Sequence, residues 1–234
     1  MFGGAQSPAR FTRVALSYNN NIQTYNGEIY GIDGGYAISA NFDGGKYIYL
    51  VGGSLYQKVL HRVDRFNIDT LKFNHVGTFH QSGIGFVGQC ENKYAYYLNN
   101  KLYLVNQYVG TSAMEYRLLS FDVKTGARLV ILEKFLRHTL TGCCFDGVDN
   151  IYFRMHEEFI RVSLSSKLET KLAPCPIRNG KLEYDSSFGI YSIYDNHNDY
   201  RYSIQDNKWT LILENNRLND RTNSRYSGHC LILD

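Results

Sequence analysis

The sequence predicts an all-β chain, and three observations predict it. Of 234 residues, 20 are tyrosine and 13 phenylalanine, against 3 prolines and 21 glycines; aromatic residues favour strands and glycines suit tight turns. Short alternating runs dominate, and few stretches carry apolar residues at helical spacing. A strand–turn–strand motif then recurs along the chain.

That motif is VDRFNIDTLKF (63–73), repeated as LLSFDVKTGAR (118–128), FIRVSLSSKLE (159–169) and DYRYSIQDNKW (199–209), with a degenerate copy RVALSYNNNIQ (13–23). Its anchors are Leu16, Phe66, Phe121, Val162 and Tyr202, and the Phe66–Phe73 spacing equals that of Tyr202–Trp209. A second motif precedes the first. NFDGGKYIYLVGG (41–53), CFDGVDNIYFRM (144–155) and EYDSSFGIYSIYD (183–195) align without gaps on an aromatic, an aspartate, a turn and the pairs Ile48-Tyr49, Ile151-Tyr152 and Ile190-Tyr191. YYLNNKLYLV (96–105) is a shorter version with Leu102-Tyr103. Asp, Gly, Asn and Ser between two apolar runs make each a hairpin.

Each unit is therefore two hairpins in series, four antiparallel strands. A lone four-stranded sheet cannot bury both faces, whereas sheets packed radially cover one another. The expected architecture is a single β-propeller domain over 1–234 with five blades: 229–234 plus 1–31, 36–80, 84–136, 139–175 and 181–215. Large rings would fill the wedges between blades, and Ala40, Gly142 and Cys143 the crowded first strands. GHCLILD (228–234) resembles a first strand and MFGG (1–4) the end of a second, so pairing of the two termini would close the ring without a free edge. Gly34-Gly35 would allow a degenerate sixth blade.

The repeat resembles that of the Kelch β-propellers, which carry a double glycine after the second strand, a Tyr in the third and a Trp before the fourth. Gly52-Gly53, Phe66 and Phe73 follow that layout, Tyr202 and Trp209 match the aromatic pair, and Gly3-Gly4 match the double glycine. The resemblance implies a non-catalytic scaffold that presents variable loops to a protein partner, as in substrate-recruiting parts of ubiquitin ligases or actin-associated proteins.

The charge balance is even, 25 basic against 22 acidic residues. No concentrated basic face marks a nucleic-acid partner, and Arg217–Arg225 reads as a polar loop. No CxxC or Cys/His cluster has metal-ligand spacing, so no metal or cofactor is expected. Five cysteines, no signal peptide and no bilayer-length apolar run predict a cytoplasmic, monomeric protein with free thiols and no membrane contact.

Catalytic patterns are incomplete. His156-Glu157-Glu158 lacks the second histidine of a zinc helix, since Ile160 stands there. SIQDNKW (203–209) lacks the aspartate and glycine of a sialidase-type turn. Asp43, Asp146, Asp185 and Asp234 recur at one repeat position, as turn residues do. A carbohydrate-binding or glycan-cleaving five-bladed propeller is the alternative, one that would need paired carboxylates facing a sugar. Variation concentrates in the connections between second and third strands, AQSPAR (5–10), SLYQKVL (54–60), NQYVGTSAME (106–115), HEE (156–158) and NHND (196–199). These supply the candidate partner-binding residues Arg10, Tyr56, Tyr108, Met114, His156, Glu157 and His197.

Overall fold

A computed structural model describes residues 1–3, 8–16, 22–56, 58–79, 89–109, 114–136, 140–156, 158–193 and 198–213. These residues form strands and turns and no helix. They fall into two compact units, one within Met1–Lys134 and one within Phe135–Thr222.

In the first unit, β1 (Arg10–Leu16) and β2 (Ile22–Glu28) pair antiparallel. Phe2 bridges to Phe11, and Gly3 and Met1 bond to Arg10 and Thr12. Residues 1–3 thus lie where the repeat places a second strand. The second sheet holds β3 (Tyr36–Phe42), β4 (Tyr47–Leu55), β5 (Lys58–Val59), β6 (Arg62–Asn67) and β7 (Phe73–Thr78), in the order β3-β4-β6-β7 with β5 on β4. The third holds β8 (Gln89–Leu98), β9 (Lys101–Val109), β10 (Met114–Asp122) and β11 (Arg128–Leu136). The second unit holds the fourth sheet, β12 (Leu140–Phe145), β13 (Asn150–Met155), β14 (Phe159–Ser163) and β15 (Glu169–Leu172), and the fifth, β16 (Lys181–Asp185), β17 (Gly189–Ile193), β18 (Asp199–Ser203) and β19 (Lys208–Leu213). The expected strand at 229–234 lies outside the described residues.

Register explains the repeat. One row crosses each complete sheet: Phe42–Ile48–Phe66–Phe73 in the second and Tyr184–Ile190–Tyr202–Trp209 in the fifth. Tyr97–Leu102–Phe121 and Phe145–Ile151–Val162 occupy the same places in the third and fourth. The aromatic, the aliphatic of the aliphatic-Tyr pair and the anchor are therefore cross-strand neighbours, the unit by which sheets are stabilised.

The turns repeat as well. In the four copies whose turns are described, the ninth residue is left-handed: Leu71 (φ 57°), Gly126 (72°), Lys167 (59°) and Asn207 (50°). Each turn opens on a polar residue whose side chain accepts backbone N–H groups: Asn67 from Asp69 and Thr70, Asp122 from Lys124 and Thr125, Ser163 from Ser166 and Ser203 from Asp206. In the preceding hairpins Asp43, Asp146 and Asp185 do the same, Asp146 accepting from Val148, Asp149 and Asn150 at 2.9 Å each.

Packing buries these rows against neighbouring sheets. Phe66 and Phe73 meet Phe2 and Phe11 of the first sheet beside Ile48 and Leu50. On the opposite face of the second sheet, Tyr49, Val51 and Val63 meet Leu102, Leu104, Leu119 and Phe121 of the third; Tyr49 stacks on Tyr97 at 5.4 Å, and burial pushes its hydroxyl pKa up to about 12. In the second unit Tyr152 and Phe159 meet Ile190, Tyr202 and Trp209. Within each unit, consecutive sheets face one another in the same sense. Trp209 Nε1 donates to Ala173 O at 3.0 Å, and Asn207 Oδ1 accepts from Ala173 N at 2.8 Å, fixing the link between the fourth and fifth sheets.

Two expected loops are mostly strand. Ser54 and Leu55 extend β4 and pair with β5, and 106–115 is the β9–β10 hairpin apart from its tip. Alternation there continues through polar residues, a pattern that looks like loop in sequence.

Candidate functional site

The candidate residues divide by position. Arg10 is exposed at the head of β1. Tyr56 caps the β4–β5 hairpin at φ 47° and is 87% exposed. His156 is exposed in the turn between β13 and β14. Met114 opens β10 opposite Val109, and its side chain lies outside the described residues. Glu157 and His197 also lie outside them. Tyr108 is buried in β9, its ring 4.7 Å from the Arg117 guanidinium. Of these residues, Tyr108 and Met114 share one hairpin.

That hairpin also carries a row of buried polar side chains. On its face toward the second sheet, the apolar positions Leu102 and Leu104 of β9 are followed by Asn106 and Tyr108, and Leu119 of β10 is preceded by Arg117 and Glu115. Register sets Asn92 of β8 opposite Asn106, Asn106 opposite Arg117, and Tyr108 opposite Glu115. Asn92 Nδ2 donates to Ser39 Oγ at 3.1 Å. A side chain at Gly52 (φ 68°) would come within 2.8 Å of Asn92 Cβ, so the first of the double glycines makes room for this seam. Arg117 Nε donates to Glu115 Oε1. Asn106 Nδ2 and Oδ1, Asn92 Oδ1 and Glu115 Oε2 are buried with no partner among the described residues. A buried polar group left unpaired costs about 1–3 kcal/mol, so these four atoms gather an unmet hydrogen-bonding demand at one end of the sheet.

The fourth sheet breaks its repeat differently. Arg154 stands where the other sheets have Val51, Val105 and Ile193. It is fully buried, and neutral acceptors meet its Nε, Nη1 and Nη2: Thr141 Oγ1 and O, Ser192 Oγ, Gly180 O and Cys175 Sγ. Gly142 faces it across the register, and a Cβ there would lie 2.9 Å from Nη2. Gly142, expected to relieve a crowded inner strand, has close neighbours on two sides, since a Cβ there would also lie 3.0 Å from Leu182 Cγ of β16.

No protein-family model matches the chain, and no curated protein matches its sequence.

One further titratable group lies on the second sheet. Buried Asp64 accepts from His75 Nδ1 at 2.9 Å, and Arg62 Nε lies 2.8 Å from its other oxygen. Arg62 also donates to the carbonyls of Asp33 and Gly34. Burial raises the Asp64 pKa, and Arg62 and His75 oppose it without cancelling it. A raised folded-state pKa contributes stability below the ordinary value and loses it as pH climbs through the folded value. The urea midpoint of wild type minus that of Asp64→Asn should therefore shrink as pH rises from about 3 upward. A difference that widens with pH would contradict this.

Among the described residues no group of three or more His, Cys, Asp or Glu is placed to hold a metal, and no helix is long and apolar enough to cross a membrane. Burial raises the Cys144 thiol well above its ordinary value, which keeps it protonated and unreactive.

Proposed function

We propose that this chain is a non-catalytic interaction module: a monomeric, cytoplasmic, Kelch-like five-bladed propeller whose connections between second and third strands bind a protein or peptide. Within each unit, consecutive antiparallel sheets that face one another in the same sense support the architecture. Tyr56 carries the functional reading. A bulky residue at positive φ stores about 1–2 kcal/mol of strain, and 87% of this side chain lies in solvent. Packing within the chain offers little return on that strain, whereas a partner's pocket closing over the ring would.

The test is a peptide-display selection on the full chain, run beside a glycan array. Peptides should be enriched, and Tyr56→Ala should weaken them by about tenfold or more. Glycan binding with no peptide enriched would move the reading to a carbohydrate-binding propeller. Peptide binding indifferent to Tyr56 would remove the hairpin from the site.

A further inference from the structure

We propose that the loop end of the third sheet recognises a primary carboxamide, the side chain of a glutamine or asparagine in the bound peptide. This rests on the peptide-binding reading and specifies its chemistry. Asn92, Asn106 and Glu115 are each more than nine-tenths buried, and all face the second sheet beside the Arg117–Glu115 pair. Their unpartnered atoms are three acceptors, Asn92 Oδ1, Asn106 Oδ1 and Glu115 Oε2, and one donor group, Asn106 Nδ2.

The guest must therefore donate more than once and also accept. A carboxylate donates nothing and would confront Glu115. An ammonium cannot accept from Asn106 Nδ2. A hydroxyl donates a single hydrogen. A primary carboxamide donates two and accepts through its carbonyl. It can pair reciprocally with the Asn106 amide and give its second N–H to Glu115 Oε2 or Asn92 Oδ1. Arg117 already balances the Glu115 charge, so a neutral guest leaves the seam neutral.

The probes are two short acetylated, N-methylamidated peptides that differ only in a central Gln or Glu, titrated into the ¹⁵N-labelled full chain while the Asn106 side-chain amide is followed by NMR. The Gln peptide should shift that signal, and the Glu peptide should bind about tenfold or more weakly. Free N-acetylglutamine methylamide separates the side chain's contribution from the peptide's. It should shift the same signal at higher concentration. Asn106→Leu should abolish the preference. Glu115→Gln, which preserves shape if the leucine variant fails to fold, should relax rejection of the Glu peptide. Equal binding of both peptides, an unmoved Asn106 signal up to about 10 mM of the Gln peptide, or a crystal structure with peptide bound in which ordered water meets all four atoms would overturn the proposal. Enriched display peptides that lack Gln and Asn would also overturn it while leaving peptide binding intact. A library with no enrichment would instead remove the functional reading itself.

Discussion

Arg154→Ala should destabilise the second unit by about 3–5 kcal/mol, a loss large enough to unfold a domain of ordinary stability. The guanidinium is fully buried and bonds the carbonyls of Thr141 and Gly180 and the hydroxyls of Thr141 and Ser192, at 2.6 Å for the last. Truncation would strip those acceptors of their donor and open a cavity beside Gly142. Arg154→Lys keeps the charge but not the planar fork, and should cost about 2 kcal/mol. Arg154→Met fills the volume without the charge. It leaves the same acceptors of Thr141, Ser192 and Gly180 without their donor, so the methionine variant should recover only the cavity part of the alanine loss. Trp209 is the chain's single tryptophan and lies in the fifth sheet, so its fluorescence in urea reads this unit directly. An Arg154→Ala midpoint equal to wild type would refute the keystone role.

Phe66→Ala is the second large effect, about 3–5 kcal/mol in the first unit. The ring lies 4.7 Å from Phe73, 5.0 Å from Phe11 and 5.4 Å from Phe2 by centroids, so one truncation empties a four-ring cluster. Each aromatic pair adds about 0.5–1.5 kcal/mol beyond burial. Phe66→Leu should recover more than half of the loss by keeping most of the apolar volume. Circular dichroism in urea follows both units and Trp209 fluorescence only the second. Coincident transitions in Phe66→Ala would mean the units unfold together, and separated ones that they do not. A loss under about 1 kcal/mol would show that the cluster repacks around the gap.

The hairpins were legible because the same physics repeats. An aspartate that caps a turn and an aromatic placed opposite an aliphatic leave the pattern seen in NFDGGKYIYL and CFDGVDNIYF, and the register follows it residue for residue. Phe66–Phe73 and Tyr202–Trp209, matched by spacing alone, are cross-strand pairs. The polar seam was not legible, because Asn106, Glu115 and Arg117 look like loop or solvent-facing residues until the packing of β9 and β10 on the second sheet buries them. Arg154 did leave a trace: it stands at a repeat position otherwise held by Val51, Val105 and Ile193, across from a glycine. A charge that breaks an aligned apolar column is the signal that would have found it. Residue type alone singles out Tyr56 in the sequence, and only the backbone reveals its left-handed conformation.

The hairpin turns carry a consequence for biosynthesis. Each complete sheet is closed by pairings between strands adjacent in sequence, apart from the small β5 excursion, with its own side-chain-capped turns. Such short loops form in microseconds and sacrifice little chain entropy. A sheet can therefore assemble as soon as its stretch of chain leaves the ribosome, with its hydrophobic faces awaiting only the neighbour translated next. Nascent-chain pauses placed far enough beyond residue 80 or residue 175 for the preceding sheet to have cleared the ribosome should already protect the backbone amides of that sheet.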